Sequence, residues 1–210
     1  MSDTHQTDQY QANWARFLGG DTEALASIYF DFFDLLLNFG LKYSPDRFLV
    51  EDCIQNLFTD ILKNRKKQKP LVNLKFYLLK ALRNQIATAR RNSRKEFPSG
   101  KNRETEFSIT YSFERSLIAR ETKEMRRRFL NLVREQLTNR QQEALYLKFT
   151  CGFDYSQISE LMSISVESAR TLIYRTLKSI RESFEEDDKL SGLIFFSLLC
   201  RQKLPQAALA

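Results

Sequence analysis

The chain has 210 residues, a net charge of +7 and 42% hydrophobic residues, enough for one domain or two small ones with packed cores. Three scattered cysteines without CxxC spacing, a single histidine (His5) and no GxxxxGK[ST] segment offer no disulfide framework, metal-ligand cluster, nucleophile–base pair or nucleotide loop, so no catalytic or metal residues and no cofactor are expected. No apolar run reaches the ~20 residues of a membrane span, and the polar start lacks a signal-peptide pattern, so a cytoplasmic non-enzyme is expected.

Six glycines, four prolines and no alternating β-branched runs predict an all-α fold. Residues 1–13 are polar and read as a disordered tail. A first helix carries Trp14 and Phe17 and stops at Gly19-Gly20. Asp21 caps a second, with Glu23 in its first turn and an apolar stripe of Leu25, Ile28, Tyr29, Phe32, Leu35, Leu36 and Phe39. Gly40 and Ser44-Pro45 end it or interrupt it soon after. A third helix, from about Asp46 to Lys63, buries Val50, Ile54, Leu57, Phe58, Ile61 and Leu62. After a basic loop, Asn64–Val72, a fourth helix from Asn73 to about Arg91 buries Leu74, Leu78, Ala81, Leu82, Ile86 and Ala89. Four such helices make a compact bundle.

Periodicity is lost over residues 92–115, where Asn92-Ser93, Pro98-Ser99-Gly100 and a polar stretch read as a flexible linker, placed at 96–115. A second helical domain is expected over 116–185. A charged helix from Leu117 to Leu137 comes first, then one opened by a Thr138/Gln141 capping box and broken by Gly152. A second capping box, Asp154 with Gln157, opens a short helix. A Ser163-Ile164-Ser165 turn then leads into a longer helix capped by Ser165, which is the helix-turn-helix pattern. Ala169, Ile173, Leu177 and Ile180 form its inner face, and Arg170, Thr171, Tyr174, Arg175 and Lys178 lie outward. A polar face rich in Arg, Thr and Tyr suits base edges and phosphates in a major groove.

Charge is distributed unevenly. Residues 1–62 hold ten acidic and three basic side chains, whereas residues 63–103 hold fourteen basic and one acidic. Such a chain can meet a protein surface at one end and a polyanion in its middle. The extension 186–210 contains an apolar run over 190–200 that is too short to span a membrane. It reads either as packing on the protein's own helices or as a docking site for a regulatory or recruiting protein.

The segment Tyr155-Ser156-Gln157-Ile158-Ser159-Glu160-Leu161-Met162-Ser163-Ile164-Ser165, with Ser168-Ala169-Arg170 and Ile173-Tyr174-Arg175, resembles the promoter-binding helix-turn-helix of region 4 in extracytoplasmic-function sigma factors of the sigma-70 family. Independently, Glu51-Asp52-Cys53-Ile54-Gln55-Asn56-Leu57-Phe58 resembles the D-x-x-Q-x-x-F signature of region 2. Asn73-Leu74-Lys75-Phe76-Tyr77-Leu78 with Ala81-Leu82-Arg83-Asn84 resembles the promoter-facing end of that region. Ser168 and Ala169 stand where the family often has Thr and Val, and Leu172 replaces a frequent polar residue.

The resemblance implies a region 2 bundle over 14–95 and a region 4 helix-turn-helix over 116–185. It implies a factor that binds bacterial core RNA polymerase and directs promoter recognition, DNA opening and transcription initiation, with anti-sigma or recruiting proteins as further partners. Asp52, Gln55, Asn56 and Phe58 match the polymerase-docking surface, Phe58 being equally readable as core. Lys66, Lys67, Lys69, Asn73, Lys75, Lys80, Arg83, Asn84, Arg90 and Arg91 match the part that reads and opens the minus-10 element and holds the melted non-template strand. Phe76 and Tyr77 could stack on bases, one of them being core. Ser168, Arg170, Thr171, Tyr174, Arg175 and Lys178 match the surface for duplex minus-35 DNA. A rival reading is a helix-turn-helix regulator that does not bind core polymerase stoichiometrically. It accounts for 138–185 but not for the basic, aromatic face of the first domain.

Overall fold

A computed structural model describes residues 2–96 and 135–183. The described residues are helical, with no strands, as the all-α expectation requires. The chain divides into two compact units, Met1–Glu106 and Phe107–Ala210. The expected linker, most of the charged Leu117–Leu137 helix and the extension 186–210 lie outside the described residues.

The first unit contains α1 (Ser2–Leu18), α2 (Thr22–Gly40), α3 (Arg47–Lys63) and α4 (Leu74–Glu96), with a 3-10 turn at Arg65–Lys67. Helix α1 runs through the stretch expected to be a disordered tail. Tertiary contacts explain the difference, because the Tyr10 ring lies 4.6 Å from that of Phe32 and Trp14 is buried. Gly19 and Gly20 end α1, and Gly20 has a φ of 116°, a conformation open to glycine at little cost. Asp21 then caps α2 by accepting from the Glu23 and Ala24 amides while pairing with Arg16 at 2.7 Å. The Ala24 amide, Arg16 and the Glu23 amide hold the Asp21 carboxyl below the usual carboxylate range. Asp46 caps α3 through the Leu49 amide, and Asn73 caps α4 through the Phe76 amide at 2.9 Å.

The core of this unit is Trp14, Phe17, Ile28, Phe32, Leu36, Phe39, Ile54, Ile61, Leu78, Leu82 and Ile86, all buried. Tyr29, Leu35, Ala81 and Ala89 from the expected stripes are not fully buried, and Leu62 is exposed. Tyr43, in the turn after α2, is buried instead.

Gly40 is required for packing rather than for an unusual φ. A Cβ there would collide with Cγ1 of Val50 and lie 3.2 Å from Cδ1 of Ile86, so the absent side chain lets α2 close on α3 and α4. Alanine favours a helix by up to ~1 kcal/mol over glycine, but overpacking a core costs ~1–3 kcal/mol. Gly40→Ala is therefore expected to destabilise the first unit by about 1–2 kcal/mol, read as a lower urea midpoint.

The second unit holds α5 (Asn139–Leu145), continuing into a π-helical stretch (Tyr146–Cys151), then α6 (Tyr155–Met162) and α7 (Val166–Ser183). Both expected capping boxes form, Thr138 with Gln141 and Asp154 with Gln157. Gly152, at φ 79°, stops the π-helical stretch. Ser163, at φ 54°, makes the tight turn, and Ser165 Oγ accepts from the Ser168 amide at 3.0 Å to start α7. Along α7, Ala169, Ile173, Thr176 and Ile180 are buried. Thr176 takes the inner place expected of Leu177, which is only half-buried. Its hydroxyl donates to the Leu172 carbonyl at 2.7 Å, so the buried oxygen is satisfied within the helix.

Candidate nucleic-acid and polymerase interfaces

Helix α3 turns one polar face to solvent. Asp52, Gln55 and Asn56 are all exposed there, within little more than one helical turn. Phe58 is not part of that surface. Only 7% of it is exposed, and Tyr29 meets its ring edge-on at 5.1 Å. The structure thus decides for core: Phe58 follows Ile54 by four residues and Leu57 by one, and both are buried. Phe58 supports an aromatic strip on α2: Tyr29, expected in the interior stripe but half-buried, Phe33 half-buried against it, and Phe30 76% exposed. On the inner side of α3, burial first and the Asp52 charge second raise the pKa of the Cys53 thiol, which keeps it protonated.

The basic loop after α3 is ordered by contacts from behind. The Trp14 indole N–H donates to the Lys69 carbonyl at 3.0 Å, and the Gln11 amide donates to the Val72 carbonyl at 3.0 Å. Tyr77 donates to Gln68 Oε1 at 3.1 Å, and burial raises its phenol pKa. Its ring lies 5.8 Å from that of Trp14, so Tyr77 belongs to the support of the loop. The Arg65 guanidinium occupies the space a Gly20 side chain would need. With these groups turned inward, Lys66 and Lys67 are exposed and Lys69 is exposed beside them. An open groove of about 450 Å³ is lined by Leu62, Lys63, Asn64, Arg65, Lys66 and Lys67.

The other minus-10 candidates divide into two kinds. Asn84 and Arg91 are exposed, and Lys75 and Lys80 are half-buried. Three have structural employment as well. Asn73 caps α4, the Arg83 guanidinium lies 5.4 Å from the centre of the Tyr43 ring, and Arg90 donates to the Tyr43 carbonyl at 2.6 Å. Arg83 and Arg90 thereby fasten α4 to the turn that ends α2.

On α7, Ser168, Arg170, Arg175 and Lys178 are exposed, Tyr174 is 68% exposed and Thr171 is half-buried. Ser168 is partly engaged, since the Ser165 hydroxyl donates to its Oγ at 2.8 Å. Lys178 pairs with Glu182 at 3.7 Å, an exposed contact that solvent weakens. Arg170 lies 5.5 Å from the ring centre of Tyr155, the first residue of α6, and Lys148 Nζ lies 4.4 Å from the same ring. Spacing along the sequence does not single out Tyr155, Gln11 or Trp14, because each meets its partner, Arg170, Val72 or Lys69, well beyond the next turn of the chain.

A helix-turn-helix bearing exposed cations on its second helix has the geometry for a major groove, and the exposed lysines of the first unit suit a phosphate backbone. The family model for sigma-70, region 4 matches residues 133–180. No curated protein matches the chain. Among solved structures, the fold is similar to that in the co-crystal structure of the sigma factor RpoE in complex with the anti-sigma factor NepR from Bartonella quintana. The TM-score is 0.52 at 20% identity, over 77% of this chain and 97% of that one.

Proposed function

We infer, from a sigma-70 region 4 carried on the fold of a solved sigma factor, that this chain belongs to the sigma-70 family and works as an RNA polymerase sigma factor. It binds core polymerase and promoter DNA and starts transcription. It works by binding rather than by chemistry of its own. The observation that carries this reading is the pairing, in one chain, of a helix-turn-helix with exposed cations on α7 and a separate unit with a supported basic loop. A lone DNA reader has no need of the second.

In finer terms, the chain is a factor of the extracytoplasmic-function group. Residues 14–95 serve as region 2 and 116–185 as region 4, joined by a linker over 96–115. Asp52, Gln55 and Asn56 dock on polymerase. Lys66, Lys67 and Lys69 hold the melted strand near the minus-10 element, and Arg170, Tyr174, Arg175 and Lys178 grip the minus-35 duplex. Each DNA contact is weak alone, but two units on one polymerase share a high effective concentration on the promoter. The solved relative is bound to an anti-sigma factor, and a protein of that kind is a partner here too. The factor acts in the cytoplasm, where its polymerase and DNA are.

Mixing the full chain with bacterial core polymerase and sequencing the transcripts tests the assignment. A stoichiometric complex that starts transcripts at a shared upstream motif supports it. Specific DNA binding without polymerase binding would leave an ordinary helix-turn-helix regulator. On a promoter mapped in this way, Lys66→Ala/Lys67→Ala is expected to weaken opening on every sequence. The same pair should reduce the salt slope, roughly by one for each phosphate that loses its lysine.

A further inference from the structure

Residues 64–72 carry the cations that hold the melted strand, yet the shape of this loop is set from outside it. Its internal hydrogen bonds are short-range ones, Lys67 N–H to the Asn64 carbonyl and Gln68 N–H to the Arg65 carbonyl, which make only the 3-10 turn. Two carbonyls beyond that turn, of Lys69 and Val72, accept from Trp14 and Gln11 on α1, more than fifty residues away. Trp14 is 2% exposed, so its indole N–H must find a partner inside the protein, and the Lys69 carbonyl is that partner. Gln11 is exposed and contributes little packing, so its bond to Val72 serves chiefly to hold the end of the loop. Tyr77 braces the middle through Gln68 and touches Trp14.

We propose that α1, through Gln11 and Trp14, is a positioning element that holds the 64–72 loop in the shape that receives the unstacked strand. This rests on the assignment of the loop to that strand. The physical reason is preorganisation. A free loop loses backbone entropy when it closes on a ligand, whereas a loop whose carbonyls are already tied back does not, and its lysines start out facing solvent. Gln11 and Trp14 touch no DNA in this scheme; they act through the backbone of Lys69 and Val72.

The test uses the full chain carrying Gln11→Ala and Trp14→Phe, a pair that deletes both donors while keeping an aromatic ring in the core. Three quantities are measured: amide exchange over residues 64–72, affinity for core polymerase, and open-complex formation on the mapped promoter. Lys66→Ala/Lys67→Ala is the control. The expected result is faster exchange in the loop, unchanged core affinity and about a threefold to tenfold loss of open complex, the worth of one to two hydrogen bonds. Gln11→Ala alone should give part of that loss with no change in melting temperature, which a purely structural role would not produce. Unchanged loop exchange, or faster exchange with full opening while the lysine control fails to open, overturns the positioning role alone. An unimpaired lysine control overturns the loop assignment and the positioning role together.

Discussion

Asp52→Arg/Gln55→Arg is expected to weaken binding to core polymerase by at least tenfold while leaving the fold intact. Both side chains are exposed on α3, and the buried stripe of that helix, Val50, Cys53, Ile54, Leu57, Phe58 and Ile61, does not include them. Breaking each charge-assisted hydrogen bond should cost ~1.5–3 kcal/mol, and an Arg in place of the carboxylate adds repulsion against a basic partner helix. Since the two positions are neighbours on one helix face, their effects need not add. Phe58→Leu separates docking from packing. It should lower the melting temperature, because the ring is buried under Tyr29, and change the polymerase dissociation constant little. Titration of labelled core with each variant, alongside circular dichroism, measures both. A double variant that binds like the parent would move the docking face elsewhere, with the exposed Phe30 strip on α2 as the next surface to probe.

Arg170→Ala is expected to relax base preference in the upstream element by ~1–3 kcal/mol, the worth of a side chain that reads a base edge. The structure adds Tyr155 to this prediction. A cation over a ring near the surface, as half-buried Tyr155 is, gains ~0.5–1 kcal/mol, enough to favour one orientation of the guanidinium. Tyr155→Leu should therefore lose a fraction of the same discrimination, and Tyr155→Phe, which keeps the ring, should lose far less. Competition binding on upstream elements changed one base pair at a time gives the profile. Equal loss on every sequence for Arg170→Ala would make Arg170 a phosphate contact and remove any reading role from Tyr155.

The features legible in the sequence are those whose cause lies within a few residues. Asp21, Thr138, Asp154 and Ser165 cap helices because a short polar side chain meets an amide two or three positions on. The helix-turn-helix follows from two such caps and one turn, so its outward cations can be named from spacing alone. Local signals are silent where the partner is far along the chain. A polar stretch gives no sign that Gln11 and Trp14 will meet backbone carbonyls 61 and 55 residues away, which is why the start of α1 looks like a tail in the sequence. Arg83 and Arg90 look like any cations of a basic stripe until Tyr43 is beside them; the Arg90 contact crosses 47 residues. Thr176 looks like a surface residue until the packed unit buries it completely. Glycine at position 40 reads as a helix end, whereas its cause is the approach of Val50 and Ile86. Helix positions, several of their caps and the outward polar face of α7 can be read from the chain alone, because they depend on near neighbours. Which cations are exposed and which are already engaged emerges once the helices are packed, because burial and pairing depend on what the other helices bring to the same place.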